Sequence, residues 1–87
     1  MHLAACHSLK GKRAVLRPIT EGIRSRFRVS VAEVDHHDLW QRATIGAAVV
    51  GATIRHVEQQ LDEVERFIWR SADVEVIRTD RWWLEDR

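Results

Sequence analysis

The chain has 87 residues, with 14 Lys+Arg against 13 Asp+Glu and a formal net charge of +1. A length well below ~150 residues argues for one domain over residues 1–87, with a thin core. No apolar run approaches the ~18 residues of a membrane span. A lone cysteine, Cys6, excludes an internal disulfide framework and points to a reducing cytoplasm.

Ser8 to about Arg26 reads as a helix. Ser8 is a good N-cap, because its hydroxyl accepts from an orphan amide of the first turn. Leu9, Leu16, Ile19, Ile23 and Phe27 fall within one arc at helical spacing. Pro18, the only proline, removes one backbone bond and crowds the preceding turn. It predicts a kink or break near Val15–Pro18. Phe27 to Val34 reads as a strand, with Phe27, Val29 and Val31 on one face and Ser30, Ala32 and Val34 on the other. Asp35-His36-His37-Asp38 is a polar turn, and Arg42 to Val50 is a second strand. The short separation predicts an antiparallel hairpin.

Thr53 to about Arg70 carries the clearest helical stripe, Ile54, Val57, Leu61, Val64 and Ile68. Val74 to Thr79 alternates as a third strand. The tail Arg81-Trp82-Trp83-Leu84 is apolar without a period. The order is helix, strand, strand, helix, strand. One strand in front completes β-α-β-β-α-β, the ferredoxin-like α+β plan: an antiparallel sheet with two helices on one face. Met1-His2-Leu3 supplies only the end of that first, central strand, which is therefore expected to be truncated or absent. An empty central slot would expose strand edges prone to pairing with another chain.

Ser8-Leu9-Lys10-Gly11-Lys12-Arg13, then Arg26 to His36, then Asp38-Leu39-Trp40-Gln41-Arg42-Ala43 resemble the YlxP-like family of small bacterial proteins of uncharacterised function. The likeness covers nearly the whole chain and is most specific over Val29–Ala43. It implies a ferredoxin-like fold with a four-stranded antiparallel sheet, and a first strand before the Ser-Leu-Lys run. It also implies genomic neighbours that act in translation and ribosome maturation, an association without a mechanism. No catalytic residue comes with it.

Charge is segregated along the chain. Residues 1–28 carry seven bases and one acid (+6), whereas residues 29–87 carry seven bases and twelve acids (−5). On the first helix Lys10, Arg13, Arg17 and Arg24 project within an arc of about 60°. Such a stripe can track phosphates, releasing one counterion per neutralised charge. The plain alternative is a flank balanced by Glu58, Asp62 and Glu65 of the second helix. Thr44-Ile45-Gly46-Ala47-Ala48-Val49 lacks the aromatics that stack RNA bases on a sheet, so RNA contact is expected to be electrostatic.

Four tryptophans in so short a chain either cap a thin core or form an apolar patch. Trp40, Trp82 and Trp83, with the small residues Thr44, Gly46 and Ala48 on an open sheet face, are the candidate interface of a homodimer. Adjacent His36 and His37 point to opposite sides in an extended segment and suit one metal ion poorly. Asp35-His36-His37-Asp38 reads instead as a turn in which Asp caps backbone amides. Cys6 with a histidine base is a weak nucleophile candidate. Phosphate-binding loops and dinucleotide glycine motifs are absent. The expectation is a non-enzymatic cytoplasmic accessory factor for RNA or the ribosome, without metal, cofactor, small-molecule substrate or membrane. The alternative is a homodimeric interaction module.

Overall fold

The structure is a computed structural model that describes residues 1–3, 6–37, 39–71 and 73–83. Its elements are α1 (Leu9–Arg26), β1 (Ser30–Asp35), β2 (Thr44–Ala48) and α2 (Ile54–Trp69). The architecture is α+β, with two helices and a two-stranded antiparallel sheet.

Ser8 caps α1, its side chain accepting from the Gly11 amide at 2.9 Å. Such a cap contributes about 1 kcal/mol. The helix runs unbroken through Pro18, against the expected break. Pro18 and Ala14 are both exposed, so the ring and the carbonyl that loses its donor face water. Leu16, Ile19 and Ile23 are buried on the expected arc.

Both strands are shorter than the alternation predicts. Phe27 closes α1 instead of opening β1, since its N–H donates to the Ile23 carbonyl at 3.0 Å. The hairpin pairs Val31 with Ala47 and Ala32 with Gly46, and its register slips between Glu33 and Asp35. Thr53 caps α2, accepting from the His56 amide at 3.1 Å. On the stripe of α2 Val64 is buried, and Val57, Leu61 and Ile68 are half-buried. Ile54, in the first turn, stays exposed.

The third strand expected over Val74–Thr79 does not form. Among the described residues only Glu75 of this segment is paired, through an antiparallel bridge to His2. A strand needs a neighbour along its length, and among the described residues only His2 pairs with this segment. His2 also bridges Arg42, just before β2. The Met1–Leu3 stub therefore bonds to both sides. His2 and Glu75 exchange two backbone bonds of 2.8 Å, Ala43 donates to the Met1 carbonyl at 3.1 Å, and Leu3 donates to that of Gln41 at 3.0 Å.

Two apolar clusters make up the core. One joins Leu3, Cys6, Leu16 and Ala43, and the other joins Ile19, Ile23, Val31 and Val64. Ile45 and Val74 touch both. At Gly22 a Cβ would lie 2.5 Å from Phe67 Cζ, so the absent side chain is what admits the Phe67 ring against α1. That ring meets Phe27 edge-on, with centroids 6.2 Å apart, and carries the Arg26 guanidinium 4.7 Å from its centre. No helix among the described residues is long and apolar enough to cross a membrane.

Candidate nucleic-acid interface

The basic face of α1 is built by the helix that its apolar face anchors. With Leu16, Ile19 and Ile23 buried, the arc carrying Lys10, Arg13 and Arg17 must face outward, and all three are exposed. They line a shallow groove with Ala14, Pro18 and Glu21. Among the described residues no carboxylate lies within ion-pair distance of any of the three. Arg13 Nε donates only to the Leu9 carbonyl one turn back, at 3.4 Å.

Arg24 is partly diverted. Its guanidinium donates to the Val31 carbonyl at 2.8 Å, tying α1 to β1. It still borders a second groove between helix and strand, together with Arg13, Arg17 and Glu33.

Two of the three acids expected to balance the stripe, Asp62 and Glu65, are engaged elsewhere. Arg81 donates to Asp62 at 2.8 Å and lies 3.4 Å from Glu65. The hydrogen bond to Asp62 raises the Arg81 pKa above the ordinary arginine value. Glu58 is exposed and in no ion pair among the described residues. The second helix thus pairs with the chain's tail through Asp62 and Glu65, and Lys10, Arg13 and Arg17 keep no ion-pair partner among the described residues.

Sequence reasoning missed one pair. Lys12 is only 2% exposed, and its Nζ lies 2.5 Å from Glu33 Oε2. The approach is an ion pair rather than an aligned hydrogen bond, and Oε2 has no other partner among the described residues. Nζ also donates to the His36 carbonyl at 2.6 Å. The signal was present in the spacing, since Lys12 lies three residues after Leu9 and four before Leu16, inside the apolar arc. Glu33 shares the Val31 face of its strand. Lys12 is therefore one of the seven front-end cations that cannot meet an external phosphate.

His36 adopts φ 63°, the left-handed region that few non-glycine residues occupy. The turn is held from three directions. Asp35 Oδ1 accepts from the His36 amide at 2.7 Å, the His36 carbonyl accepts from Leu39 at 3.1 Å, and Lys12 bonds the same carbonyl. His37 Nε2 turns away to the Glu33 carbonyl at 3.0 Å. Asp38 lies outside the described residues. Among those described, no three His, Cys, Asp or Glu side chains converge as metal ligands. Cys6 is buried beside Leu3, Leu16 and Ala43, where it fills space as a small apolar side chain.

None of the four tryptophans is part of either core cluster. Trp40, Trp69, Trp82 and Trp83 are all exposed, Trp82 at 84%. Thr44 and Ala48 are also exposed, on the sheet face opposite Val31. Gly46 has a local reason to be small, because a Cβ there would lie 2.9 Å from Val34 Cγ1.

A family described as "Protein of unknown function (DUF503)" matches residues 1–81. The chain is also 37% identical over 77 residues to "Uncharacterized protein YlxP" of Bacillus subtilis (strain 168). That match covers 88% of this chain and 84% of the relative.

Proposed function

This chain belongs to the DUF503 family, and we propose that it works as a non-enzymatic cytoplasmic accessory factor that binds RNA or the ribosome through α1. One observation carries the reading: Lys10, Arg13 and Arg17 share an exposed face without an acidic partner among the described residues. Three such cations match a phosphate backbone, and Arg24 extends the same side toward β1. The stripe contains no aromatic residue, so the contact is to phosphates and not to stacked bases. We read the fold as the ferredoxin-like plan, with Met1–Leu3 belonging to its first strand. The placing of His2 between Arg42 and Glu75, antiparallel to both, supports that reading.

Co-sedimentation with RNA and with ribosomes across a salt series tests the function. Binding should weaken with salt, and Lys10→Ala/Arg13→Ala/Arg17→Ala should lower the log–log slope by about 2–3. Retention indifferent to both salt and the triple substitution removes the basis of the proposal.

A second reading, a homodimer, is favoured by the exposure of Trp40, Trp82 and Trp83 and of Thr44 and Ala48 on the open sheet face. Light scattering should then give a dimer at micromolar concentration. A monomer there would remove this reading and leave the first intact.

A further inference from the structure

A groove of about 260 Å³ lies between α1 and β1. Arg13 and Arg17 line it, and they also line the groove on the other flank of the helix. They therefore form a ridge between two channels. One helical turn separates them, about 6 Å of axis. A nucleic-acid strand whose phosphates sit on that ridge lays its sugars into a channel beside it.

Two cross-links fix the walls of the α1–β1 groove. The Arg24 guanidinium donates to the Val31 carbonyl at 2.8 Å, and Lys12 Nζ lies 2.5 Å from Glu33 Oε2. Both join α1 to β1, about 18 Å apart along the helix axis. The second also places a carboxylate in the lining. The Glu33 side chain is 22% exposed, and its Oε1 accepts no hydrogen bond from the described residues. Lys12 offsets its charge, so the groove stays net positive through Arg13, Arg17 and Arg24. Thr20 adds a second acceptor. Its hydroxyl proton turns back to the helix, with Oγ1 3.3 Å from the Leu16 and Arg17 carbonyls, which leaves the oxygen free to accept. Glu21 lines the groove too, but it is exposed and shared with the other flank.

An acceptor held beside a phosphate ridge distinguishes two backbones. Phosphate and ester oxygens only accept hydrogen bonds. The DNA backbone therefore has no donor to offer, whereas RNA has one on every sugar, the 2′-hydroxyl. A carboxylate accepts that hydroxyl through a charge-assisted bond. Opposite a deoxyribose it gains nothing and still repels the phosphates nearby.

We infer that the α1–β1 groove reads the ribose: Arg13 and Arg17 hold phosphates while Glu33 Oε1 accepts from a 2′-hydroxyl, so the chain takes RNA in preference to DNA. This role for Glu33 rests on the reading of α1 as a phosphate-binding face.

Fluorescence anisotropy at low salt tests it with labelled single strands of about 12 nucleotides: oligouridylate, its 2′-deoxy form and its 2′-O-methyl form. The ribo-oligomer should bind about tenfold more tightly than the deoxy-oligomer. The 2′-O-methyl oligomer keeps the oxygen but lacks the donor, so it should bind like the deoxy form. Lys12→Met/Glu33→Leu removes the acceptor together with its partner, and should bind all the oligomers alike while keeping the wild-type helical circular dichroism. Equal binding of the ribo- and deoxy-oligomers by the wild-type chain overturns the role of Glu33 and leaves the phosphate face standing. Binding of the 2′-O-methyl oligomer at the ribo level also overturns it, because the donor is then not what is read. So does a folded double variant that still prefers RNA. Binding of none of the oligomers removes both the role of Glu33 and the phosphate face on which it rests.

Discussion

The two sides of β2 differ sharply. Toward β1 the strand is paired along its whole length, with one register slip between Glu33 and Asp35, and the hairpin is roofed by α1 and α2 through Ile19, Ile23, Val31 and Val64 and tied by Lys12 to Glu33. On its other side lies a cleft, a stub bonded at Met1–Leu3, and a segment from Val76 onward without main-chain partners among the described residues. Both sides contain branched apolar residues at strand spacing. Alternation prepares a strand, but a hydrogen-bonded neighbour makes one.

Substitutions should report that difference as stability. Lys12→Ala leaves Glu33 Oε2 buried without a partner, and should cost about 3–5 kcal/mol in urea unfolding. Replacing both partners by apolar residues, Lys12→Met with Glu33→Leu, should restore most of that loss. Failure of the double variant to recover would show that the tie to the His36 carbonyl matters more than the ion pair. Gly22→Ala pushes a methyl into the Phe67 ring and should cost about 1–3 kcal/mol, visible as a lower Tm.

On the open side the effects should be small. Arg81→Ala breaks exposed contacts to Asp62 and Glu65 and should cost about 0.2–1 kcal/mol, which a double-mutant cycle with Asp62→Ala would isolate. The raised Arg81 pKa gives this contribution its pH course. It is fully present below the ordinary arginine value and is lost only when pH rises above the folded one, so it is constant under working conditions. A cost at Arg81 matching that at Lys12 would erase the contrast between the two sides.

Much of this was legible in the chain. Ser8 and Thr53 mark the starts of both helices as caps, and the arcs of α1 and α2 face the core. The exposed cations of α1 follow from that phase. The burial of Lys12 was equally readable from its place between Leu9 and Leu16, but treating cations as surface residues hid it. Pro18 does not break α1, because the carbonyl it leaves without a donor belongs to exposed Ala14, which local propensity alone does not reveal.

The sequence by itself determined the periodic elements, their caps and the charged face of α1, because these depend on residues within a few positions of one another. Tertiary structure decided the rest. It chose Arg81 as the partner of Asp62 and Glu65, so that the α1 stripe stays unpaired. It set Glu33 under Lys12, and it left Val76 to Asp80 facing a cleft instead of a strand. Each of these turns on which distant segment arrives alongside, and spacing along the chain does not encode that.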